Sequence, residues 1–381
     1  MNDLLVTLIT IAVAVGAIQL ACAYLVLAER KVSARMQDRI GPNRVGPWGL
    51  LQPLADAIKI LLKEDISPSN VDPFLFMIAP TISVFTTLMA FAVVPFGPVE
   101  QAPSWLRFII APHVDIGIVF IFAITSLAVY GVILGGWASN NKYSALGSLR
   151  ASAQVISYEI PLGMSVLGVA LLGGSLNLEQ ILNQQASAGI LGWYVWYQPL
   201  ACLIFFTSAL AESNRLPFDL AECEQELIGG YHTEYGGLRF VLFFLGEYTH
   251  VVTISFLTAI LFFGGWHLPW IATPESTYFG AWLVKIGVLL AKVGIVVLVI
   301  MLIRWTIPRF RFDQLMGLTW KVLIPLSLAN VVIVMTVLQF DWNRWWLLPM
   351  AAGLFSVAGV LGVNATRAEI LRRPRARAAT A

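Results

Sequence analysis

The chain has 381 residues, 58% of them hydrophobic and only 12% charged, against roughly 25% charged in an average soluble protein. Its mean hydropathy of +0.77 and its repeated apolar runs of bilayer-crossing length disfavour a soluble globular fold and predict an all-α, polytopic membrane protein, because in lipid the backbone must satisfy its own hydrogen bonds. Lys and Arg number 24 against 22 Asp and Glu, a net charge of +2 that leaves no basic footprint for nucleic acid.

Apolar runs with turn or charged residues at their ends place nine spans, near residues 4–28, 74–96, 114–138, 153–174, 191–212, 238–264, 281–303, 320–340 and 345–364. The first does not read as a cleaved signal peptide: no basic residue precedes it, and Glu29-Arg30-Lys31 follows it directly. Of the 24 Lys and Arg, 20 fall in the connections after spans one, three, five and seven and in the C-terminal tail. The positive-inside rule puts those segments in the cytoplasm, with the N-terminus outside and the C-terminus inside. The expected layout is one integral membrane domain, 1–364, with cytoplasmic connections at about 29–73, 139–152, 213–237 and 304–319, and a basic cytoplasmic tail, 365–381. Trp342, Trp345 and Trp346 suit an interfacial belt before the last span.

The first cytoplasmic connection reads ERKVSARMQDRIGPNRVGPWGLLQPLADAIKILLKED, in which Gly41, Pro42, Gly46 and Pro47 form a stiff double turn. A helix over 48–63 is expected to follow. Leu50, Leu51, Leu54, Ile58, Leu61 and Leu62 fall on one face of it, and Gln52, Asp56, Lys59 and Lys63 on the other. The pattern fits a helix lying in the membrane interface. Amphipathicity alone leaves an ordinary surface helix open, and the adjacent arginines favour a lined entrance.

The connection after span five, ESNRLPFDLAECEQELIGGYHTE, sets Glu212, Asp219, Glu222, Glu224, Glu226 and Glu234 against Arg215 alone, a local charge of −5. A solvated acidic face is the plain reading. Crowding against a membrane span would instead push some of these carboxyls up towards neutrality and make them proton carriers. Within the spans, Glu159 and Glu247 lie roughly 10 to 14 Å in from the cytoplasmic helix ends, and an intramembrane carboxylate is functional by default. Asp115 and Lys285 sit near span ends, where they could snorkel, while Lys292 is deeper on the face of Lys285.

The three cysteines (Cys22, Cys202, Cys223) and four histidines (His113, His232, His250, His267) make no disulfide, iron–sulfur or zinc pattern. With no nucleotide-binding glycine motif either, the sequence carries no metal-ligand pattern and no complete active site, and any redox cofactor belongs to a partner. The residues alone lead to proton or ion handling. An independent cation transporter stays open, although the acids are biased to one side and no internal repeat is visible.

The long segment above together with SNNKYSALGSLRASAQVISYEIPL, LAESNRLPFDLAECEQELIGGYHTEY and PRFRFDQLMGLTWKVLIPL closely resembles the quinone-site membrane subunit family of respiratory complex I. This family comprises the H subunit of the bacterial enzyme and subunit 1 of mitochondrial NADH dehydrogenase. The resemblance implies an eight-helix core, here with one extra span, in a proton-translocating NADH:quinone oxidoreductase. It implies quinone as substrate, NAD as substrate of the whole complex, and FMN and iron–sulfur clusters held by partner subunits. Peripheral-arm quinone-module subunits, small membrane subunits and lipid would surround the chain in a prokaryotic cytoplasmic membrane. By motif, Arg30 and Arg39 would lie by the quinone tunnel and Asp56 near its mouth. Glu212, Asp219, Glu222, Glu224, Glu226 and Glu234 would couple quinone chemistry to a carboxylate path continued by Glu159 and Glu247. The same motifs would suit the homologous subunit of a hydrogenase or of a ferredoxin-linked quinone reductase. Lys285 and Lys292 match no family motif.

Overall fold

The structure, a computed structural model, describes residues 3–98, 108–112, 114–219, 229–273 and 280–362. The described chain is helical, apart from one bridge pairing Leu268 with Ala272. Its helices are α1 (Asp3–Met36), α2 (Gln52–Leu61), α3 (Pro73–Met89), α4 (Gly117–Ser126), α5 (Ala128–Ala138), α6 (Lys142–Gly173) and α7 (Leu178–Ala186). There follow α8 (Tyr194–Tyr197), α9 (Pro199–Glu212), α10 (Gly237–Phe262), α11 (Ala281–Thr306), α12 (Phe312–Leu318) and α13 (Ile324–Gln339), and a last helical segment, α14 (Arg344–Gly362).

Among the described residues 8 segments are long and apolar enough to cross a membrane, with α4–α5 and α12–α13 each forming one of them. The expected fifth span, 191–212, differs. Its apolar helix is only Pro199–Glu212, about 21 Å at the helical rise and so short of a hydrocarbon core of about 30 Å. Pro199 has no N–H and starts a new helix, while the residues before it fold into the single turn of α8. There Gln198 sends its amide to the Gly168 carbonyl at 3.0 Å. The α6 helix, by contrast, starts well before the expected span, at Lys142, where Asn141 accepts the Tyr143 amide at 2.9 Å as an N-cap. Its 32 residues run about 48 Å, so its first turns stand beyond the hydrocarbon.

The central helix is α10, apolar on almost every side as a buried helix must be, and packed against α1, α2, α3, α7, α8, α9 and α11. Within its apolar window 67% of residues are buried, against 11% for α14, which rests on the bundle through Leu347, Ala351 and a Tyr197–Trp345 ring contact. Gln185 and Lys292 hold the far end of α10. The Gln185 side chain donates to the Ile260 carbonyl at 2.9 Å and accepts from the Gly264 amide at 3.1 Å, and Lys292 Nζ donates to the Phe263 and His267 carbonyls at 2.7 and 2.8 Å.

At the other end the four connections expected on one side of the membrane do gather. Arg239 joins Asp65 (3.2 Å) and Ser67 (2.7 Å), and Asn140 reaches the Asn70 carbonyl (3.0 Å). Arg309 pairs with Asp219 at 3.4 Å, and the Phe310 amide donates to the Pro217 carbonyl at 3.2 Å. Gln154 of α6 ties down the connection after α9 by donating to the Ala211 and Phe218 carbonyls, each at 2.9 Å.

The α5 and α6 backbones approach closely where Gly136 faces Ser144 and Ser148; a Cβ there would lie 2.7 Å from the Ser144 carbonyl oxygen and 2.3 Å from Ser148 Oγ. Gly136→Val should therefore force the helices apart at a cost of about 1–3 kcal/mol. The expected result is a lower thermal unfolding midpoint of the purified protein in detergent, and an unchanged midpoint would contradict this packing.

Candidate functional site

A cavity of about 1130 Å³ lies between α1, α2, α10, the end of α11 and the connection after α9. It follows α1 from Gln19 to Ser33, a length of about 21 Å. At the Gln19 end its α1 wall is mainly apolar (Cys22, Ala23, Val26, Leu27), and towards Ser33 it becomes charged and aromatic, with Glu29, Arg30, Arg215, Tyr248, Arg304 and Trp305. A cavity so graded suits an elongated ligand with a polar head and an apolar tail.

Its rim is built by α1 and α2. Arg30 pairs with Asp56 at 2.6 Å, and Gln52 donates to the other Asp56 oxygen at 2.8 Å. The polar side of α2 thus faces the cavity, and Leu54, Ile58 and Leu61 are left exposed on the opposite side. The helix begins at Gln52 and not at residue 48, because Gly46, Trp48 and Gly49 all have positive φ, at 72°, 53° and 75°. At Gly49 a Cβ would lie 2.2 Å from the Pro42 carbonyl oxygen, so only glycine closes this turn. Arg39 lines the cavity and donates to Gln37 at 2.8 Å.

The deepest charge in the site is Glu29, which has no place among the residues expected from the sequence, although its neighbour Arg30 does. Glu29 as a residue is 8% exposed. It is ion-paired with Arg304 of α11, lies 3.6 Å from Arg215, and accepts the Tyr248 hydroxyl of α10. The Arg215 guanidinium also stacks 4.0 Å above the Tyr248 ring. A carboxyl at the end of an apolar span is visible in sequence, but its partners lie far along the chain.

Most of the expected carboxylates that are described have a partner of their own, and Glu159 lies near Glu212. Glu212 meets His250 at 3.2 Å, Asp219 meets Arg309, Glu234 accepts from Asn141 at 2.6 Å, and Glu247 accepts from the Tyr231 hydroxyl at 3.4 Å. Glu159 is half-buried, faces Ser126 and lies within electrostatic reach of Glu212. Asp219 and Glu247 line the cavity with Arg30, Arg39 and Asp56, whereas Glu159, Glu212 and Glu234 lie off it. Glu222, Glu224 and Glu226 fall outside the described residues. Burial pushes the Tyr235 hydroxyl above the ordinary phenol range, so it keeps its proton at the cavity wall. Among the described residues no three His, Cys, Asp or Glu side chains gather as a metal site.

At the opposite end of the bundle Lys285 does not snorkel as expected, being only 2% exposed. Burial, helped by the Lys285 charge, holds His267 down at about 4, hence neutral.

Fold and site together define a polytopic helical membrane protein built around an amphipathic cavity with a charged, aromatic inner wall. Residues 9–335 match the family model described as NADH dehydrogenase. The chain is 49% identical over 313 residues to the H subunit of NADH-quinone oxidoreductase from Protochlamydia amoebophila, covering 82% of this chain and 91% of the relative. It is 46% identical over 329 residues to NADH-quinone oxidoreductase subunit 8 of Rhodothermus marinus, 84% of this chain and 93% of that one. An H subunit of the Geobacter metallireducens oxidoreductase matches at 46% over 332 residues, 87% and 96% of the two chains. The chain belongs to the family of NADH-quinone oxidoreductase H subunits, and α14 lies beyond the residues that the family model matches.

Replacing Glu29 by Gln removes a carboxylate that Arg215 and Arg304 share. Breaking a buried ion pair from one side typically costs about 3–5 kcal/mol. The variant should lose that much thermal stability and assemble poorly in membranes; normal assembly with an unshifted unfolding midpoint would contradict the role given to Glu29.

Proposed function

We propose that this chain is the quinone-site membrane subunit of a proton-translocating NADH:quinone oxidoreductase, respiratory complex I. It spans a prokaryotic cytoplasmic membrane as one domain, 1–364, with the short α9 and the turn of α8 before it together making a ninth crossing, its N-terminus outside and its C-terminal tail, 365–381, in the cytoplasm. The end of the bundle that gathers Asp65, Asn140, Asp219 and Arg309 faces the cytoplasm and docks the peripheral arm, and small membrane subunits flank the helices. FMN and iron–sulfur clusters in the partner subunits supply electrons from NADH.

The observation that carries this reading is the graded cavity beside α1. A quinone tail fits the apolar stretch from Gln19 to Leu27, and its head group fits the charged stretch near Glu29, Arg215, Tyr248 and Arg304. In this account α2 lies in the membrane interface with Leu54, Ile58 and Leu61 in lipid, and its Asp56–Arg30 pair marks the mouth. Arg39 stands beside the passage. Reduction of a quinone to a quinol takes up two electrons and two protons, so charge at the cavity wall must be rebalanced with each turnover. Asp219 and Glu247 line that wall, Glu212 and Glu159 continue from it, and Glu234 stands beside Asn141 at the cytoplasmic end. Glu222, Glu224 and Glu226 belong to the same acidic connection.

Two kinds of substitution test this. Glu159→Gln and Glu247→Gln should each lower quinone-linked proton translocation about ten- to a hundredfold, the scale of a lost proton carrier, while NADH reduction of a hydrophilic artificial acceptor by the peripheral arm persists. Full pumping in both variants would remove these carboxyls from the path. Arg39→Ala should raise the apparent KM for quinone more than it changes acceptor reduction, and an unchanged KM would take Arg39 away from the passage.

A further inference from the structure

We propose that His250 is a proton-relay residue joining Glu247 at the cavity wall to Glu212 off it; the proposal rests on the carboxylate-path reading above. Glu247 lines the cavity and accepts a hydrogen bond from Tyr231. Glu212 does not line the cavity, and it belongs to a different helix, α9. His250 stands three residues beyond Glu247 on α10, a spacing that puts two side chains on one helix face with Cβ atoms about 5–6 Å apart. Its Nε2 lies 3.2 Å from Glu212 Oε1, and the two side chains are only 10% and 6% exposed. From Glu212 the next carboxyl within electrostatic reach is Glu159. His250 therefore fills the gap in a series that otherwise breaks between α10 and α9.

The second ring nitrogen is where a relay would take up its proton. A buried polar atom with a fixed protein partner would be held from exchanging one. His250 Nδ1 is buried and has no hydrogen-bond partner among the described residues. One nitrogen thus meets an acid, and the other is available to take a proton from Glu247 on the same helix face. The surrounding charges leave it that role. Glu29 and Arg304 are engaged with each other and Asp56 with Arg30, while α3, also packed on α10, carries no charged side chain.

The transfer balances without any redox step. A proton leaves the Glu247 carboxyl and bonds to Nδ1 as the Nε2–H bond breaks and its proton passes to the Glu212 carboxylate. Exchange of the ring proton between the two nitrogens restores the starting tautomer.

The test uses the whole complex in proteoliposomes and reads protons translocated per NADH oxidised, together with the solvent deuterium isotope effect on quinone-dependent turnover. Activity with a hydrophilic acceptor normalises for assembly. His250→Gln keeps a side-chain amide to bond Glu212 and carries no proton; His250→Asn does the same with a shorter reach and serves where the first variant assembles poorly. The expected result is a loss of about tenfold or more in coupled proton movement and a changed isotope effect, alongside similar losses in Glu212→Gln and Glu247→Gln. Wild-type proton-to-NADH ratios in both His250 variants, with the two Glu variants impaired, would overturn the relay alone. Wild-type ratios in the Glu variants as well would overturn the carboxylate path and the relay with it.

Discussion

The buried carboxylate of Glu29 is the constraint around which the site is arranged. It sits where α1, α10, α11 and the connection after α9 converge, and it is shared by Arg304, Arg215 and the Tyr248 hydroxyl. Ion pairs of this kind repay their desolvation only when geometry and additional hydrogen bonds are good. Here two guanidiniums share the acid, and Arg215 is further held on the Tyr248 ring.

The rest of the fold serves the position of α10. Its cavity half carries Phe240, Phe244, Glu247 and Tyr248, and His250 follows immediately. Its far end is fixed by Gln185 and Lys292, which satisfy carbonyls that a helix terminus would otherwise leave bare in a low-dielectric setting. That gives Lys292 a structural account which its sequence did not suggest. Its ammonium also lies 4.4 Å above the Trp193 ring, a cation–π contact that lowers the cost of a lysine at that depth.

Much of the architecture was legible because lipid imposes simple rules on a chain. Apolar run length located the long spans, and the split face of residues 48–63 located α2 and its exposed leucines. Departures occur where local chemistry overrides those rules: Pro199 shortens one apolar run into α9, Asn141 caps α6 early, and three positive-φ residues delay α2. In the site, single acids in apolar context were visible, so Glu159 and Glu247 could be chosen. Their partners were not. Glu29 meets Arg304 across most of the chain, and His250 meets Glu212 between two helices, so neither pairing leaves a spacing signal. Charge counting likewise located the acidic connection but not the separate partners that Glu212, Asp219 and Glu234 hold.

The central claim, that the cavity along α1 receives the quinone, is tested most directly by photolabelling the intact complex with an azidoquinone carrying an isoprenoid tail and mapping the labelled peptides. The account predicts label in the α1 segment around Glu29 and the α10 segment around Tyr248, both displaced by excess unlabelled quinone. Label confined to other segments of this chain or to other subunits, or label that excess quinone does not displace, would contradict it.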